Sequence, residues 1–286
     1  MEVAGVGVWS SQLRYGDPAE AREAAAELEE LGFTALWVPD AGGPLFDSVR
    51  GLLTATRRTV IATGILNLWM HDPNRVAAEY TELTARHGAR FLMGIGVSHA
   101  PLLDSGDLHR YRRPLGAMRS FLDALDQAVS PVPVEERILA ALGPNMLELA
   151  AARSRGVHTC FVTPEHTHHA REVLGPRPLL APEQTVLLTD SRAAARDVGD
   201  DWLRATVALP NYANNLRRTG FTDEDLAGLS DRLFDSVIAW GDEDAVAHRV
   251  AEHFSTGADH VCVQVLTADP TEFPREQWRR LAAALT

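Results

Sequence analysis

Short apolar runs alternate along the chain with longer stretches whose apolar residues recur every three or four positions. The runs fall at residues 3–9, 35–39, 60–67, 91–97, 137–142, 158–163, 185–189 and 260–266. Brief apolar runs bounded by turn residues read as strands buried on both faces. Between them, Ala21, Ala24, Ala25, Leu28 and Leu31 share one helical face, which Gly32 ends. Asp72-Pro73 offers an N-cap and a first-turn proline ahead of Val76, Tyr80 and Leu83, and Thr163-Pro164 repeats the signal. Leu115, Met118, Phe121, Leu122 and Leu125 form another stripe; Trp278, Leu281, Ala282 and Leu285 form the last. No hairpin signal joins neighbouring runs, so the strands pair in parallel through right-handed crossovers. Eight such units predict one α/β domain over residues 1–286, a (β/α)8 TIM barrel.

Two segments break the rhythm. Residues 98–114 form a long polar loop after the fourth strand. Residues 190–258 are too long for one crossover helix, and LPNYANNLRRTGFTDEDL reads as extra helices joined by turns. This predicts a helical insertion between strands seven and eight. Long excursions at strand C-termini serve as lids, or as subunit interfaces, and both readings stand here.

Composition narrows the chemistry. Hydrophobic residues make up 45%, enough for a large core, and the net charge is −12. That field repels nucleic acid. Cys160 and Cys262 sit in apolar runs (HTCFV and HVCVQV) and read as small core residues rather than a disulfide or metal framework. The opening MEVAGVGVWSSQ lacks a basic segment followed by a long apolar one, so neither a signal peptide nor a membrane span is predicted, and a cytoplasmic location is expected. The chain is unusually poor in lysine and has none inside a strand, against a Schiff-base enzyme. Strand ends show no metal-spaced histidines or carboxylates and no nucleophile elbow.

Barrel sites lie where strands end. The third strand, VIATGILNLWMHDP, carries a glycine at its end, which marks a bulge, a close backbone approach or a plain bend into the next helix. A planar ring fits against bare main chain at Gly64 and Ile65, with Trp9, Asn67 and Trp69 beside it and Gly96 and Ser98 on the next strand. Gly143-Pro144 opens a helix whose free N–H groups favour an anion, or simply caps an ordinary helix. Thr163, Glu165 and His166 begin a second helix nearby. His166, His168 and His169 lie in its first turns and read as surface residues rather than metal ligands. His87, His248 and His253 also read as surface residues on helices. His71 and His99 on the rim are the acid–base candidates, with Asp40 at the end of strand two pointing into the mouth.

These segments together resemble the luciferase-like flavin and deazaflavin oxidoreductases. The resemblance rests on LEELGFTALWVPD, ATGILNLWMHDP, GIGVSH, AALGPNMLELAAARSRGVH, LLAPEQTVLL and WGDEDAVAHRVAEHFSTGADHVCVQVL, which span almost the whole chain in order. TGILNLWMHDP, TPEHT and LPNYANNLRR look most like the deazaflavin-dependent subgroup. The resemblance implies a bacterial-luciferase-like barrel and a non-proline cis peptide at or next to Gly64-Ile65, backing and bending the cofactor ring. It implies cofactor phosphate at Gly143-Pro144, coenzyme F420 as cofactor with FMN as the alternative, hydride exchange with a small organic substrate, and a homodimer. Relatives with Asp-His after strand two use that histidine as acid or base. Here the pair is Asp40-Ala41, so Asp40, His71 and His99 compete for the role. Arg110, Arg112 and Arg113 are candidate partners of the anionic tail. An FMNH2-dependent monooxygenase and a ligand-binding barrel without catalysis are the competing functions.

Overall fold

The computed structural model describes residues 3–103 and 111–286. The strands are β1 (Gly5–Trp9), β2 (Ala35–Val38), β3 (Val60–Thr63), β4 (Leu66–Asn67), β5 (Phe91–Gly96), β6 (Arg137–Ala140), β7 (Gly156–Thr159), β8 (Leu179–Leu188), β9 (Ile238–Gly241) and β10 (His260–Val265). The helices are α1 (Gln12–Tyr15), α2 (Pro18–Glu30), α3 (Leu45–Ala55), α4 (Pro73–His87), α5 (Ala100–Leu103), α6 (Pro114–Asp126) and α7 (Pro144–Arg153). They continue as α8 (Pro164–Leu174), α9 (Arg192–Val207), α10 (Pro210–Arg218), α11 (Asp223–Gly228), α12 (Asp231–Val237), α13 (Glu243–Ser255) and α14 (Arg275–Leu285).

All strand pairs are parallel, and the sheet closes through β1–β10 and β10–β8 into an eight-stranded barrel in which β3 and β4 are two parts of one strand. The packing leaves no room for side chains at some strand contacts. A Cβ on Gly94 would lie 1.9 Å from the Thr63 carbonyl oxygen. The main core, including Leu28, Val49, Leu83, Met118 and Leu281, fills the layer between strands and helices. Trp37, Ala62, Leu92, Ile138 and Cys262 fill the barrel itself. Helix ends follow their caps: Asp17, Asp72 and Ser191 accept first-turn N–H groups of α2, α4 and α9.

Four expectations are corrected. Strand seven begins at Leu179, not at residue 185, because Pro182, Glu183 and Gln184 interrupt the apolar run yet are buried within the strand. Strand six is Gly156–Thr159 rather than residues 158–163, since the chain turns at Phe161 with φ +57°. The insertion is not helical throughout. Its helices α9 to α12 share a separate core around Leu203, Leu216 and Phe234. It then returns as β9, which pairs with residues 185–188 of β8 beyond the point where β7 leaves that edge. Helix α13 belongs to the outer shell, packed on α14, α8 and β10. His253 on α13 is fully buried, not a surface residue: it bridges the Thr167 hydroxyl (2.8 Å) and Gln184 Oε1 (3.0 Å). Among the described residues no helix is long and apolar enough to cross a membrane.

Candidate functional site

A cavity of about 640 Å³ opens at the C-terminal ends of the strands, within the usual range of small-molecule sites. Its lining is mostly apolar, with Ile65, Val97, Ala140, Leu142 and Met146 among the wall residues.

One wall is a main-chain shelf. Between β3 and β4 the Gly64–Ile65 peptide bond is cis. The Trp9 indole N–H donates to the Gly64 carbonyl at 2.8 Å. A Cβ on Gly64 would sit 2.8 Å from Trp9 Nε1 and 3.2 Å from His158 Nε2, so only glycine leaves this surface open. Beneath the shelf, Asp40 pins it. Its Oδ2 accepts from the Asn67 N–H (3.1 Å) and His71 Nε2 (2.7 Å), and its Oδ1 accepts from the Gly42 N–H (3.2 Å). Burial pushes the Asp40 carboxyl up, but these donors outweigh it and hold it below the usual carboxylate range. His71 packs edge-on to Phe46 and lies outside the cavity lining.

The adjoining wall comes from β7 and the turn after it and from α10. His158 stacks on Trp37 at 4.4 Å and bonds the Ala181 carbonyl through Nδ1 at 2.8 Å. A carbonyl only accepts, so Nδ1 carries the proton and Nε2 presents a lone pair; that atom is buried and has no protein partner. Burial pulls His158 down to about 4. Beside it the Cys160 thiol donates to Glu183 Oε2 at 3.2 Å. Glu183 also accepts from the Phe161 N–H (3.2 Å) and the Thr185 hydroxyl (2.8 Å). Burial raises Glu183 despite these bonds, and no cation pairs with it among the described residues. Tyr212 lines the cavity with Cys160, and its ring lies 4.5 Å from that of His99. His99 lines the cavity, and burial lowers it to about 4.

The third region is the N-terminus of α7. Gly143 caps α7 with no side chain on the first-turn N–H groups. Across from it a Cβ on Gly143 would lie 3.6 Å from the Arg218 guanidinium. Arg218 bonds Asn215 Oδ1 but forms no ion pair among the described residues. Asn211 ties α10 down by donating to the Ser98 carbonyl (3.1 Å) and the Tyr111 hydroxyl (3.0 Å).

The expected site residues divide accordingly. Trp9, Asp40, Gly64, Ile65, Asn67, Ser98, His99 and Gly143 line the cavity. His71, Trp69, Gly96, Pro144, Thr163, Glu165 and His166 do not. Trp69 donates instead to the Val97 carbonyl (2.7 Å), and Gly96 makes room for the Ile65 side chain. Thr163 caps α8, and His166 is buried against the Leu142 carbonyl (3.0 Å), not a surface residue. Arg112 and Arg113 are exposed and outside the lining, and Arg110 lies outside the described residues. Cys160 is a wall residue rather than core filling. His158, Glu183, Tyr212 and Arg218 were missed. For α10 a signal existed: Asn211, Asn214 and Arg218 recur at i, i+3 and i+7, a polar stripe facing the cavity.

The barrel thus carries a rim cavity floored by bare main chain, with the N-terminus of α7 at one side. The chain belongs to the luciferase-like monooxygenase family, whose profile matches residues 3–260. It is 24% identical to Rv3520c of Mycobacterium tuberculosis, provisionally named a coenzyme F420-dependent oxidoreductase, over 95% of this chain and 96% of that one. The fold matches the coenzyme F420-dependent tetrahydromethanopterin reductase of Methanopyrus kandleri (TM-score 0.76, 17% identity, 100% and 98% of the two chains). It also matches the FMN-bound oxygenating constituent of 3,6-diketocamphane monooxygenase from Pseudomonas putida (TM-score 0.70, 15% identity, 99% and 97%).

Proposed function

We propose that this protein is an oxidoreductase that binds coenzyme F420 and exchanges hydride between it and a small organic substrate. The observation that carries the reading is the glycine shelf at Gly64 and Ile65, held open by Trp9 and Asp40 at the base of an apolar cavity. The residues present suit the cofactor. A flat ring needs backbone rather than side chains beneath it, and Gly64 supplies that. An anionic tail needs N–H donors and a free cation, and Gly143 with Arg218 supplies both. The buried Nε2 of His158 gives a ligand donor one oriented acceptor.

When bound, the deazaflavin supplies the hydride chemistry. The chain's own residues would hold it, with Gly64 and Ile65 as the backbone shelf and Tyr212 and His99 among the other lining residues. The curated relative favours F420. The FMN-bound neighbour of equal coverage keeps an FMN-dependent monooxygenase as the second reading. Fluorescence titration separates them: F420 is expected to bind at micromolar concentration, with FMN at least tenfold weaker. Tighter binding of FMN, with oxygen consumption by reduced FMN, would reverse the assignment.

A further inference from the structure

A hydride delivered to a substrate leaves a carbon, nitrogen or oxygen centre that must also gain a proton. The usual donor position after β2 holds Ala41. Asp40 has its oxygens occupied by three donors, and its side chain is fully buried. His71 lies outside the cavity lining. The proton must come from elsewhere.

We propose that Tyr212 is the group that gives the substrate its proton, and that Cys160 and Glu183 form its proton supply. This rests on the hydride-transfer reading above. Tyr212 and Cys160 both line the cavity, and the Cys160 thiol reaches the buried Glu183 carboxyl at 3.2 Å. Glu183 ends the chain with no cation among the described residues to hold it ionised. A buried, unpaired carboxyl keeps its proton. Burial pushes Cys160 and Tyr212 up as well, so all three groups are stored acids. The neighbouring imidazoles cannot compete as donors. His158 offers a lone pair, and both His158 and His99 are lowered to about 4, hence uncharged at neutral pH.

The arrangement favours reduction. Hydride reaches an electron-poor carbon of a conjugated enone or ketone as the C=C or C=O π bond breaks. The Tyr212 O–H bond breaks and its proton goes to the resulting enolate or alkoxide. Cys160 reprotonates the phenolate and Glu183 reprotonates the thiolate. One hydride and one proton are consumed, and a glutamate carboxylate remains to be reprotonated from solvent. The substrate class is therefore an uncharged, unsaturated carbonyl compound, matched to a cavity with apolar walls.

The chain can be tested without turnover by infrared spectroscopy on the full protein. Wild type is expected to show two S–H stretches, from Cys160 and Cys262, and a protonated-carboxyl C=O band at neutral pH. Cys160→Ala should remove one S–H band. Glu183→Gln should abolish the carboxyl band and shift the Cys160 band to a weaker hydrogen bond, leaving that of Cys262 in place. An unmoved Cys160 band, or no protonated carboxyl in wild type, would overturn the relay. Activity supplies the second arm, with cyclohex-2-enone as probe and reduced F420 in single turnover. Tyr212→Phe should slow the reaction at least tenfold while F420 affinity stays within twofold. An unchanged rate would overturn the role of Tyr212. Failure of F420 to bind the wild type at all would instead sink the functional reading, a separate result from either.

Discussion

The two walls of the cavity use polar groups in opposite ways. On the shelf side, Asp40, Asn67, His71 and Gly42 satisfy one another, and their hydrogen bonds hold main chain in place. On the adjoining wall, His158 Nε2 is left without a partner, and the Cys160–Glu183 pair has no cation among the described residues. The first wall is a closed network that sets shape; the second leaves a buried acceptor, His158 Nε2, unused beside the cavity. Fully satisfied buried networks rigidify, whereas unsatisfied ones mark places where a ligand completes the set. Strand-end position made Asp40 and His71 the obvious chemical candidates, yet the geometry gives them a structural task.

The largest effect should come from filling the shelf. Gly64→Val places a branched side chain where a single Cβ already meets Trp9 at 2.8 Å. F420 affinity is expected to fall about a hundredfold, roughly 3 kcal/mol, with a further loss of stability from overpacking. Fluorescence titration and thermal melts measure the two separately. Retention of wild-type affinity would remove the shelf as the ring's support.

Next comes the contrast between the two buried carboxyls. Asp40→Ala leaves the buried Asn67 N–H without its acceptor and the His71 ring without its partner, and each orphaned buried polar group costs about 1–3 kcal/mol. Glu183→Gln keeps the shape and most acceptors of an acid that has no cation, so its cost should stay within about 1 kcal/mol. Denaturant unfolding of both variants checks this. The Asp40 contribution also has a pH signature. Its folded pKa is lowered, so the stabilisation is present above its unfolded value and fades only as pH falls through the lower folded one. Equal losses in the two variants would erase the distinction between the walls.

A smaller, purely local effect is expected at the N-terminus of α7. Arg218→Ala should weaken F420 binding about tenfold, roughly 1.4 kcal/mol, with little change in melting temperature. The difference between wild type and variant should shrink as salt rises. An equal loss with a tailless deazaflavin would show that Arg218 does not face the tail.

The barrel and the shelf were legible because local pattern determines them. Short apolar runs and period-3.6 stripes mark strands and helices, and a glycine at the end of VIATG marks a place where main chain is bare or bends. The second wall was not legible, for two reasons. Cys160 sits in HTCFV, where it is indistinguishable from core filling, and Glu183 lies mid-strand beside Pro182, which disguises the strand itself. Further, His158, Glu183 and Tyr212 meet only through barrel closure and the return of α10 over the rim, contacts that no local window contains. Arg112 and Arg113 were chosen over Arg218 by the same limitation: adjacency to a strand end in sequence stood in for distance in space.

The gentlest probe of the comparison is His99→Gln, which should be nearly silent at pH 7 and conspicuous in acid. His99 is neutral in the folded chain because burial lowers it to about 4, while the unfolded chain protonates it near its ordinary value of about 6.5. Below that value the unfolded state binds more protons than the native one, so stability declines as pH falls toward 4. At pH 5 the deficit attributable to His99 is about 2 kcal/mol, from 1.5 units at 1.36 kcal/mol each. The glutamine variant lacks this deficit and should overtake wild type between pH 6 and 5 in denaturant midpoint. His158, His253 and His260, also lowered to about 4, 3 and 4, remain in the variant and preserve a slope of the same sign. Acid should thus loosen the histidine-rich wall well before it reaches the Asp40 carboxylate, whose stabilisation survives to lower pH. A variant with the wild-type pH slope would show that His99 takes up its proton in the native state, and the adjoining wall would then carry charge where the geometry makes it neutral.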